Sequence, residues 1–346
     1  MKTGFAVGKF APLTTGHINF INHASTKCDK LLVLLSYDEY WRLEQTPYMK
    51  QRLTLRNRLK WLKETYYDLD HIIIDYVDET DIPPYPHGWD GFQKLVKEKL
   101  VSHFGTKQPD YVFSSETKYD AGFKKYFPNT KHLVLDEARV LFPISATKVR
   151  SEIFKNWDYL PSSVRKEFVF KVCLIGTEST GKSTLTKYLA KMFATSWVEE
   201  YGRTFCEKEL YGDESLLDYK DYATIAFRHK EFEEEAAKTA NRVMFSDTNA
   251  FVTGYYQYLY EGDIDTIVKG IMEREEYDLI LYADNDVEWV DDGLRKNGSE
   301  NDRVNTKKIF EEMLKKYNIE YKKISGTYEE RLRNAYEIVK LSIGDV

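Results

Sequence analysis

One nine-residue run restricts what this chain can fold into more than any other part of its sequence. The run GTESTGKST at 176–184 fits the pattern G-x-x-x-x-G-K-[ST] and directly follows an apolar stretch at 168–175. Its glycines let successive backbone N–H groups curl around a phosphate, and a helix starting near Lys182 adds its positive dipole end. The run therefore predicts a phosphate loop between a strand and a helix.

The side chains of this loop predict how it handles ATP. Lys182 is expected to reach the transferred phosphoryl group, and Ser183 is expected to ligate Mg²⁺. The loop residues predicted to bind ATP are Gly176, Glu178, Ser179, Thr180, Gly181, Ser183 and Thr184. The sequence contains no N-K-x-D run of the guanine-reading kind, which disfavours a GTPase switch.

A phosphate loop needs an acidic partner at the end of another strand, and the apolar run at 243–246 ends in Asp247. Asp247 is therefore predicted to hold Mg²⁺ together with Ser183. Taken alone, an aspartate at this point fits a helix N-cap equally well.

A charged group follows the next strand candidate, where a small-molecule kinase commonly places the residues that grip or deprotonate the acceptor hydroxyl. Glu200, Tyr201 and Arg203 are the candidates, and a solvated turn is the alternative interpretation. Either Glu200 or Asp247 fits the role of the base, and the sequence does not choose between them.

Further along, a glycine hinge is combined with cations in the segment at 291–295. The segment suits a lid that closes over the phosphates, with Asp292, Arg295 and the downstream Arg303 as its candidate residues, but a surface loop explains it nearly as well.

Strand and helix candidates alternate in both halves, which predicts parallel sheets covered on both faces. At 346 residues the chain is long enough for two domains of about 100 to 200 residues each. A polar, proline-containing connection at 157–167 suggests a boundary there, giving domains 1–163 and 164–346. The fold class expected is α/β, with two doubly wound parallel-sheet domains in series. The strand candidates are 4–7, 31–35, 72–76, 111–114, 132–135, 168–175, 243–246 and 279–282, and the helix candidates are 18–24, 49–64, 221–238 and 307–316.

Composition and charge exclude several classes of protein. The net charge is −6, so no broad electrostatic footprint for nucleic acid is expected. Three scattered cysteines fit neither a disulfide framework nor a zinc site. No apolar run approaches the roughly 20 residues that a membrane span requires, and the N-terminus lacks a signal-peptide pattern, so a cytoplasmic location without membrane insertion is expected.

The first half contains a second phosphate-binding candidate between the first strand and the first helix. Gly16 permits close approach of the backbone, and His17 at the helix start can donate a hydrogen bond to a phosphate oxygen. A lone histidine here is more often a cap than a catalyst, but a second cluster at 144–150 carries hydroxyls and cations at a likely helix start. Ser145 and Thr147 can bind phosphate there, and Arg150 can neutralise its charge.

These two motifs together resemble the signature of the nucleotidyltransferase superfamily, [HT]-x-G-H followed later by I-S-x-T-x-x-R. Thr14 stands at the first position in place of histidine, an alternative within that pattern. An adenylyltransferase domain followed by a phosphate-loop kinase resembles the NadR family of bifunctional nicotinamide-nucleotide adenylyltransferases and ribosylnicotinamide kinases. Segments at 88–90, 112–116, 200–203 and 288–295 are similar to that family as well.

The resemblance implies that the second domain, 164–346, phosphorylates nicotinamide riboside to the mononucleotide NMN. The first domain, 1–163, would join NMN to AMP from ATP, releasing NAD and pyrophosphate. His17, Lys9, Arg150 and Mg²⁺ would serve the adenylyl transfer. The other residues expected at that site are Gly8, Phe10, Thr14, Gly16, Phe113, Ser114, Ser145 and Thr147 for ATP, and Trp89 for the pyridinium ring, with Trp289 in the corresponding role at the kinase site.

Some family members carry an N-terminal helix-turn-helix domain, which is not expected here because the first strand begins within five residues of Met1. Two alternatives stay open: another phosphorylated small molecule as the substrate of the first half, or one half serving as an NAD or ATP sensor. Oligomeric state is also open, and a homo-oligomer and a functional link to a riboside transporter are hypotheses.

Overall fold

The computed structural model describes residues 1–287 and 300–344, and the chain divides into two compact units, Met1–Glu167 and Phe168–Val346. Each unit contains one five-stranded sheet, and the described strands pair in parallel. Helices join consecutive strands, as parallel pairing requires. The predicted class, a doubly wound α/β fold in each half, is confirmed.

The strands of the first unit are β1 (Thr3–Gly8), β2 (Lys30–Tyr37), β3 (Ile72–Asp78), β4 (Tyr111–Ser114) and β5 (Lys131–Val134). Their order in the sheet is β3-β2-β1-β4-β5. The chain therefore builds one side of the sheet from β1 and then returns to build the other side from β4. The carboxyl ends of β1 and β4 flank the switch point, which is where sheets of this type bind ligands.

The helices of the first unit are α1 (Thr15–Ser25), α2 (Glu39–Leu43), α3 (Pro47–Arg52), α4 (Leu55–Thr65), α5 (Trp89–Phe104), α6 (Asp120–Tyr126), α7 (Ala146–Ser151) and α8 (Ser162–Phe168), which ends at the division between the units. Two short 3-10 helices occupy Thr117–Tyr119 and Trp157–Tyr159. Core residues on one face of this sheet are Phe5, Leu32, Leu34, Val77, Val96, Leu100, Val112, Phe123 and Phe127.

The strands of the second unit are β6 (Phe170–Ile175), β7 (Trp197–Val198), β8 (Val243–Asp247), β9 (Leu279–Ala283) and β10 (Lys322–Ile324), in the order β10-β9-β6-β8-β7. The helices are α9 (Lys182–Met192), α10 (Tyr201–Glu209), α11 (Asp221–Thr239), α12 (Ala250–Glu261), α13 (Thr266–Met272), α14 (Glu300–Lys316) and α15 (Tyr328–Ser342), with a 3-10 helix at Glu214–Leu216. The central strand β6 lies between β8 and β9, so its carboxyl end meets both of theirs.

Two predicted elements differ from the structure. The single helix expected at 49–64 is two helices, because Thr54 leaves the helical conformation and its hydroxyl accepts a hydrogen bond from the N–H of Asn57, capping α4. The strand expected from Phe168 begins two residues later, since Phe168 ends α8. The boundary predicted after residue 163 falls inside α8, whereas the units divide after Glu167.

No helix in the described residues is both long enough and apolar enough to cross a lipid bilayer.

Candidate functional site

The loop after β6 has the backbone that a phosphate loop needs. Gly176 adopts φ +150°, and a Cβ placed on it would lie 2.6 Å from the carbonyl oxygen of Ala283 at the end of β9. Gly181 adopts φ +81° immediately before α9 begins at Lys182. Side chains other than hydrogen would be strained at either position, so both glycines are required by conformation and Gly176 also by space.

Side chains fix the interior of this loop. Lys182 is a buried residue, and its ammonium donates to the carbonyl oxygen of Thr177 at 2.7 Å. The hydroxyl of Thr180 donates to the same carbonyl at 3.1 Å. The loop opens onto a cleft of about 1020 Å³ that is large enough for a nucleotide and a second small molecule.

Asp247 ends β8 directly beside β6, where it pairs in register with Leu174. Its carboxylate is only 3% exposed, and it is hydrogen-bonded to Ser183 of the loop. Burial and the nearby Glu200 carboxylate raise the pKa of Asp247 to about 6, partly offset by Lys182 and Ser183. The acidic residues expected to serve the metal and the acceptor therefore interact at one site.

The residues around Asp247 fit a magnesium ion. One of the Asp247 oxygens, Oδ1, is buried and accepts no hydrogen bond from the described residues, although the carboxylate as a whole is hydrogen-bonded to Ser183. No group of three or more metal-ligating side chains occurs among the described residues. Mg²⁺ commonly takes one carboxylate or two and completes its shell with substrate phosphates and water, so this small set of oxygen ligands is sufficient.

The first unit has a cleft of its own, of about 580 Å³, at the switch point of its sheet. We call it the first cleft, and the cleft at the phosphate loop the second cleft. The predicted residues that line it are Gly8, Lys9, Phe10, Thr14, Gly16, His17, Trp89, Phe113, Ser114 and Ser145. Thr147 and Arg150 are not among the lining residues. Arg150 instead donates to the backbone carbonyl of Ala11 and to the hydroxyl of Thr147, and so supports the loop behind the cleft.

His17 is held in one protonation state by its surroundings. The backbone N–H of Thr14 donates to its Nδ1 at 3.1 Å, and the Thr14 hydroxyl lies 3.0 Å from the same nitrogen. Burial and the positive charges of Arg139 and Arg150 lower the pKa of His17 to about 4. The neutral ring therefore carries its proton on Nε2, which can donate it to a ligand as a hydrogen bond.

Two cations of this site share one aromatic ring. The Lys9 ammonium lies 4.4 Å from the centre of the Trp41 ring, and the Arg150 guanidinium lies 5.1 Å from it. Burial lowers the pKa of Lys9, while the carboxylates of Asp38 and Glu79 act in the opposite direction. Trp41 thus packs against both positive groups that were predicted to act on phosphate.

Three residues that were predicted to contact a ligand in the first cleft also contact other residues of the protein. The Trp89 ring stacks on Tyr126 at 5.9 Å and covers Gly122, where an added Cβ would lie 2.1 Å away. The ring of Phe113 packs on Gly4 in the same way, and a Cβ added to Gly4 would lie 2.6 Å from that ring. Ser114 is hydrogen-bonded to the ring of His132 at 2.8 Å.

Comparison with known proteins decides the family. A family profile described as "AAA domain" matches residues 171–331. The trifunctional NAD biosynthesis/regulator protein NadR of Escherichia coli (strain K12) is 35% identical to this chain over an alignment that covers 99% of this chain and 83% of that protein. The chain belongs to the NadR family. A crystal structure of NadR protein in complex with NR superposes with a TM-score of 0.81 at 25% identity, covering 99% of this chain and 96% of that one.

A second NadR structure, in complex with NAD and AMP-PNP, has a TM-score of 0.78 at 24% identity, with 99% and 96% of the two chains covered, and so has the same fold. Within this NadR-family chain most residues predicted for the second site line one cleft. They are Glu178, Ser179, Thr180, Gly181, Lys182, Ser183, Thr184, Glu200 and Arg203.

Four of the described residues predicted for the second site are not in the cleft lining. Gly176 and Asp247 belong to the phosphate loop and to the strand end beside it, whereas the other two lie elsewhere. The ring of Tyr201 is outside the cleft lining and packs against Phe205 and Phe232. Arg303 donates to the backbone carbonyls of Asn285 and Val287 rather than facing the cleft. Three further predictions, Trp289, Asp292 and Arg295, lie outside the described residues.

The sequence motifs also missed residues that help to form these sites. Tyr256 and Tyr260, whose rings stack 6.2 Å apart on α12, line the second cleft, and so does Arg331 of α15. In the first unit, Trp41 and the buried Arg58 were not predicted. Two of these residues, Arg58 and Arg331, share a signal that is visible in the sequence. Each is an arginine on the apolar face of an amphipathic helix.

Proposed function

We propose that this NadR-family chain is a bifunctional enzyme of NAD salvage. Its second unit transfers phosphate from ATP to the 5′ hydroxyl of nicotinamide riboside, and its first unit joins the resulting NMN to the adenylyl group of ATP. NAD and pyrophosphate are the final products. The observation that carries this proposal is the presence of two clefts, each formed within a single unit and each lined by residues of a predicted phosphate-binding motif.

The comparisons support nicotinamide riboside as a ligand and NAD as the product. One NadR structure with this fold was solved with NR, and the E. coli relative is named for NAD biosynthesis. In the proposed order of reactions the kinase acts first, because its product is the substrate of the adenylyltransferase.

For the kinase we assign separate roles to the two acidic residues. Asp247 is hydrogen-bonded to the loop hydroxyl of Ser183, which suits it to hold Mg²⁺. Glu200, at the start of α10, lines the cleft and is the proposed base. The riboside oxygen attacks the γ-phosphorus, its proton passes to Glu200, and the bond to ADP breaks while Lys182 stabilises the charge on the transferred group. Bound Mg²⁺ would neutralise charge on the phosphates.

For adenylyl transfer the chain needs to bind and orient rather than to form a covalent intermediate. An NMN phosphate oxygen attacks the α-phosphorus of ATP, and pyrophosphate leaves. The neutral His17 donates its Nε2 proton as a hydrogen bond to a phosphate oxygen, and Lys9 and Arg150 supply positive charge. Mg²⁺ is proposed for this reaction as well.

The proposal extends to the setting of the enzyme. A cytoplasmic location, self-association into a homo-oligomer and a functional link to a riboside transporter are its further parts. Cell fractionation, light scattering of the purified chain, and riboside uptake by cells with and without it test them in turn.

The test of the main proposal separates the two reactions. The full-length protein is incubated with ATP, Mg²⁺ and nicotinamide riboside, or with ATP, Mg²⁺ and NMN, and products are followed by chromatography. Lys182→Ala is expected to abolish NMN formation but to leave NAD formation from added NMN. His17→Ala is expected to do the reverse. Loss of both activities from either folded variant would refute two independent sites.

A further inference from the structure

Two arginines outside the reaction steps described above are almost completely buried, one in each unit. Arg58 on α4 is 0% exposed and Arg331 on α15 is 1% exposed. Each lies on the buried face of its helix. Arg58 shares that face with Trp61, and Arg331 shares it with Ala335. A buried guanidinium is costly unless its N–H groups are hydrogen-bonded, so its partners indicate what it does.

Arg331 joins three backbone segments around the phosphate loop. Its Nη1 donates to the carbonyl of Thr180 at 3.0 Å, its Nη2 to the carbonyl of Asp284 at 2.9 Å, and its Nε to the carbonyl of Gly326 at 2.8 Å. The guanidinium also forms an ion pair with Asp286. One side chain therefore holds the loop, the end of β9 and the turn before α15 together.

The direction of these bonds matters for nucleotide binding. A phosphate loop turns its N–H groups towards the ligand, so its carbonyls face the protein, where each buried carbonyl needs a donor. Thr180 lies two residues before Lys182, and Arg331 supplies the donor for its carbonyl. The planar guanidinium has five donors in a fixed geometry, so it constrains the angle of the peptide as well as its position.

Arg58 makes similar contacts in the first unit through two of its three nitrogens, while its Nη1 is buried without a hydrogen-bond partner among the described residues. Its Nε donates to the carbonyl of Lys9 at 3.0 Å, and its Nη2 donates to the carbonyl of Ser36 at 2.7 Å as well as to that of Lys9. Lys9 directly follows β1, and Ser36 is the next-to-last residue of the neighbouring strand β2. Both residues line the first cleft. The backbone that presents Lys9 is thus tied to β2 through a buried side chain.

We propose that Arg331 and Arg58 are positioning residues, each fixing the backbone of the phosphate-binding loop in its own unit. Arg331 serves the kinase through the carbonyl of Thr180, and Arg58 serves adenylyl transfer through the carbonyl of Lys9. The inference rests on the proposed pair of reactions, and it adds to them a cause for the shape of each loop.

The experiment uses the full-length protein and measures both reactions on each preparation. Arg331→Met is expected to lower the kcat of the kinase at least ~10-fold and to raise its KM for ATP, because a loop displaced by about 1 Å loses alignment. The KM for the riboside and the rate of adenylylation stay unchanged. Arg333→Met, an exposed arginine on the same helix, is the matched control and leaves both reactions at wild-type rates.

Arg58→Met is expected to give the opposite pattern, with slower adenylylation, a higher KM for ATP in that reaction and an unchanged kinase. Its control is the exposed Arg56 on α4, changed to methionine. If a methionine variant does not fold, the lysine variants Arg331→Lys and Arg58→Lys keep the charge without the planar fork. They are expected to show intermediate rates and the same rise in the KM for ATP.

Partial unfolding would lower the active fraction without changing the KM for ATP, so that result overturns the inference. Equal loss of both reactions, or full activity of a lysine variant, overturns it as well. If the wild-type chain itself lacks one of the reactions, the proposed function fails. If the wild-type chain performs both and the arginine variants match it, only the role of the two arginines fails.

Discussion

At the scale of single residues, both sites need a deprotonated side chain, but burial shifts the two pKa values in opposite directions. Asp247 must be ionised to hold a cation, and burial together with Glu200 raises its pKa to about 6. His17 must be neutral, with no proton on Nδ1, and burial together with Arg139 and Arg150 lowers its pKa to about 4. Both groups gain a proton as the pH falls. Asp247 does so first because its pKa is the higher of the two, so the kinase is impaired before adenylyl transfer.

The ratio of the two rates should reveal this difference. As pH falls from 8 to 5, the kcat/KM of the kinase is expected to drop through pH 6, while that of adenylylation is not lowered by His17 until pH nears 4. Both reactions use ATP, so titration of the nucleotide affects both and largely cancels in the ratio. A ratio that is constant over this range would contradict the assigned roles.

Trp41 offers a second test at this scale. Trp41→Leu removes the ring that packs against Lys9 and Arg150, and each such contact contributes about 0.5 to 2 kcal/mol. We expect adenylylation to slow by roughly 3- to 30-fold and the kinase to be unaffected, as measured by initial rates. Trp41→Phe should restore most of the rate, whereas Tyr40→Leu, an exposed residue on the same helix, should have no effect.

At the scale of elements, the strand-to-helix loop depends on glycine for space as well as for conformation. Gly176→Ala places a Cβ 2.6 Å from the carbonyl of Ala283, so the loop and the end of β9 must separate. We expect the kinase rate to fall on the order of 100-fold, because a displacement of about 1 Å is enough to misalign the phosphates.

Gly212 provides the control for this substitution. It also has a positive φ, +83°, but a Cβ there would meet nothing within 4 Å. Gly212→Ala should therefore cost only about 1 kcal/mol of stability and leave the kinase rate intact. Equal activity of the two alanine variants would show that the contact with β9 does not shape the loop.

At the scale of the whole molecule, α8 decides where the chain can be cut. Val164 of this helix is fully buried, and Lys166 forms an ion pair with Glu64 at 2.6 Å, both within the first unit. A fragment of residues 1–167 is expected to fold and to adenylylate NMN. A fragment of residues 1–163 loses the buried valine and should melt roughly 5 °C lower in a thermal unfolding experiment. Equal melting temperatures would favour the boundary at 163.

Much of the architecture could be predicted because its signals are local. The apolar runs at 31–35 and 111–114 coincide with buried strands, and the loop at 176–184 joins a strand to a helix as its pattern requires. The interruption at Thr54 was missed because a hydroxyl that caps the next helix looks, in sequence, like an ordinary position within one long helix.

Features formed by contiguous residues could be predicted without a structure. They are the glycine-rich loop with its lysine, the T-x-G-H turn, and the alternation of strands and helices. Such signals survive without a structure because hydrogen bonds and backbone conformation act over a few neighbouring residues. Contacts between residues far apart in the chain became known only from the tertiary structure. It placed Asp247 against Ser183, turned Tyr201 away from the cleft, and brought Arg331 to a carbonyl 151 residues earlier in the chain, because side-chain direction and long-range approach are set by packing.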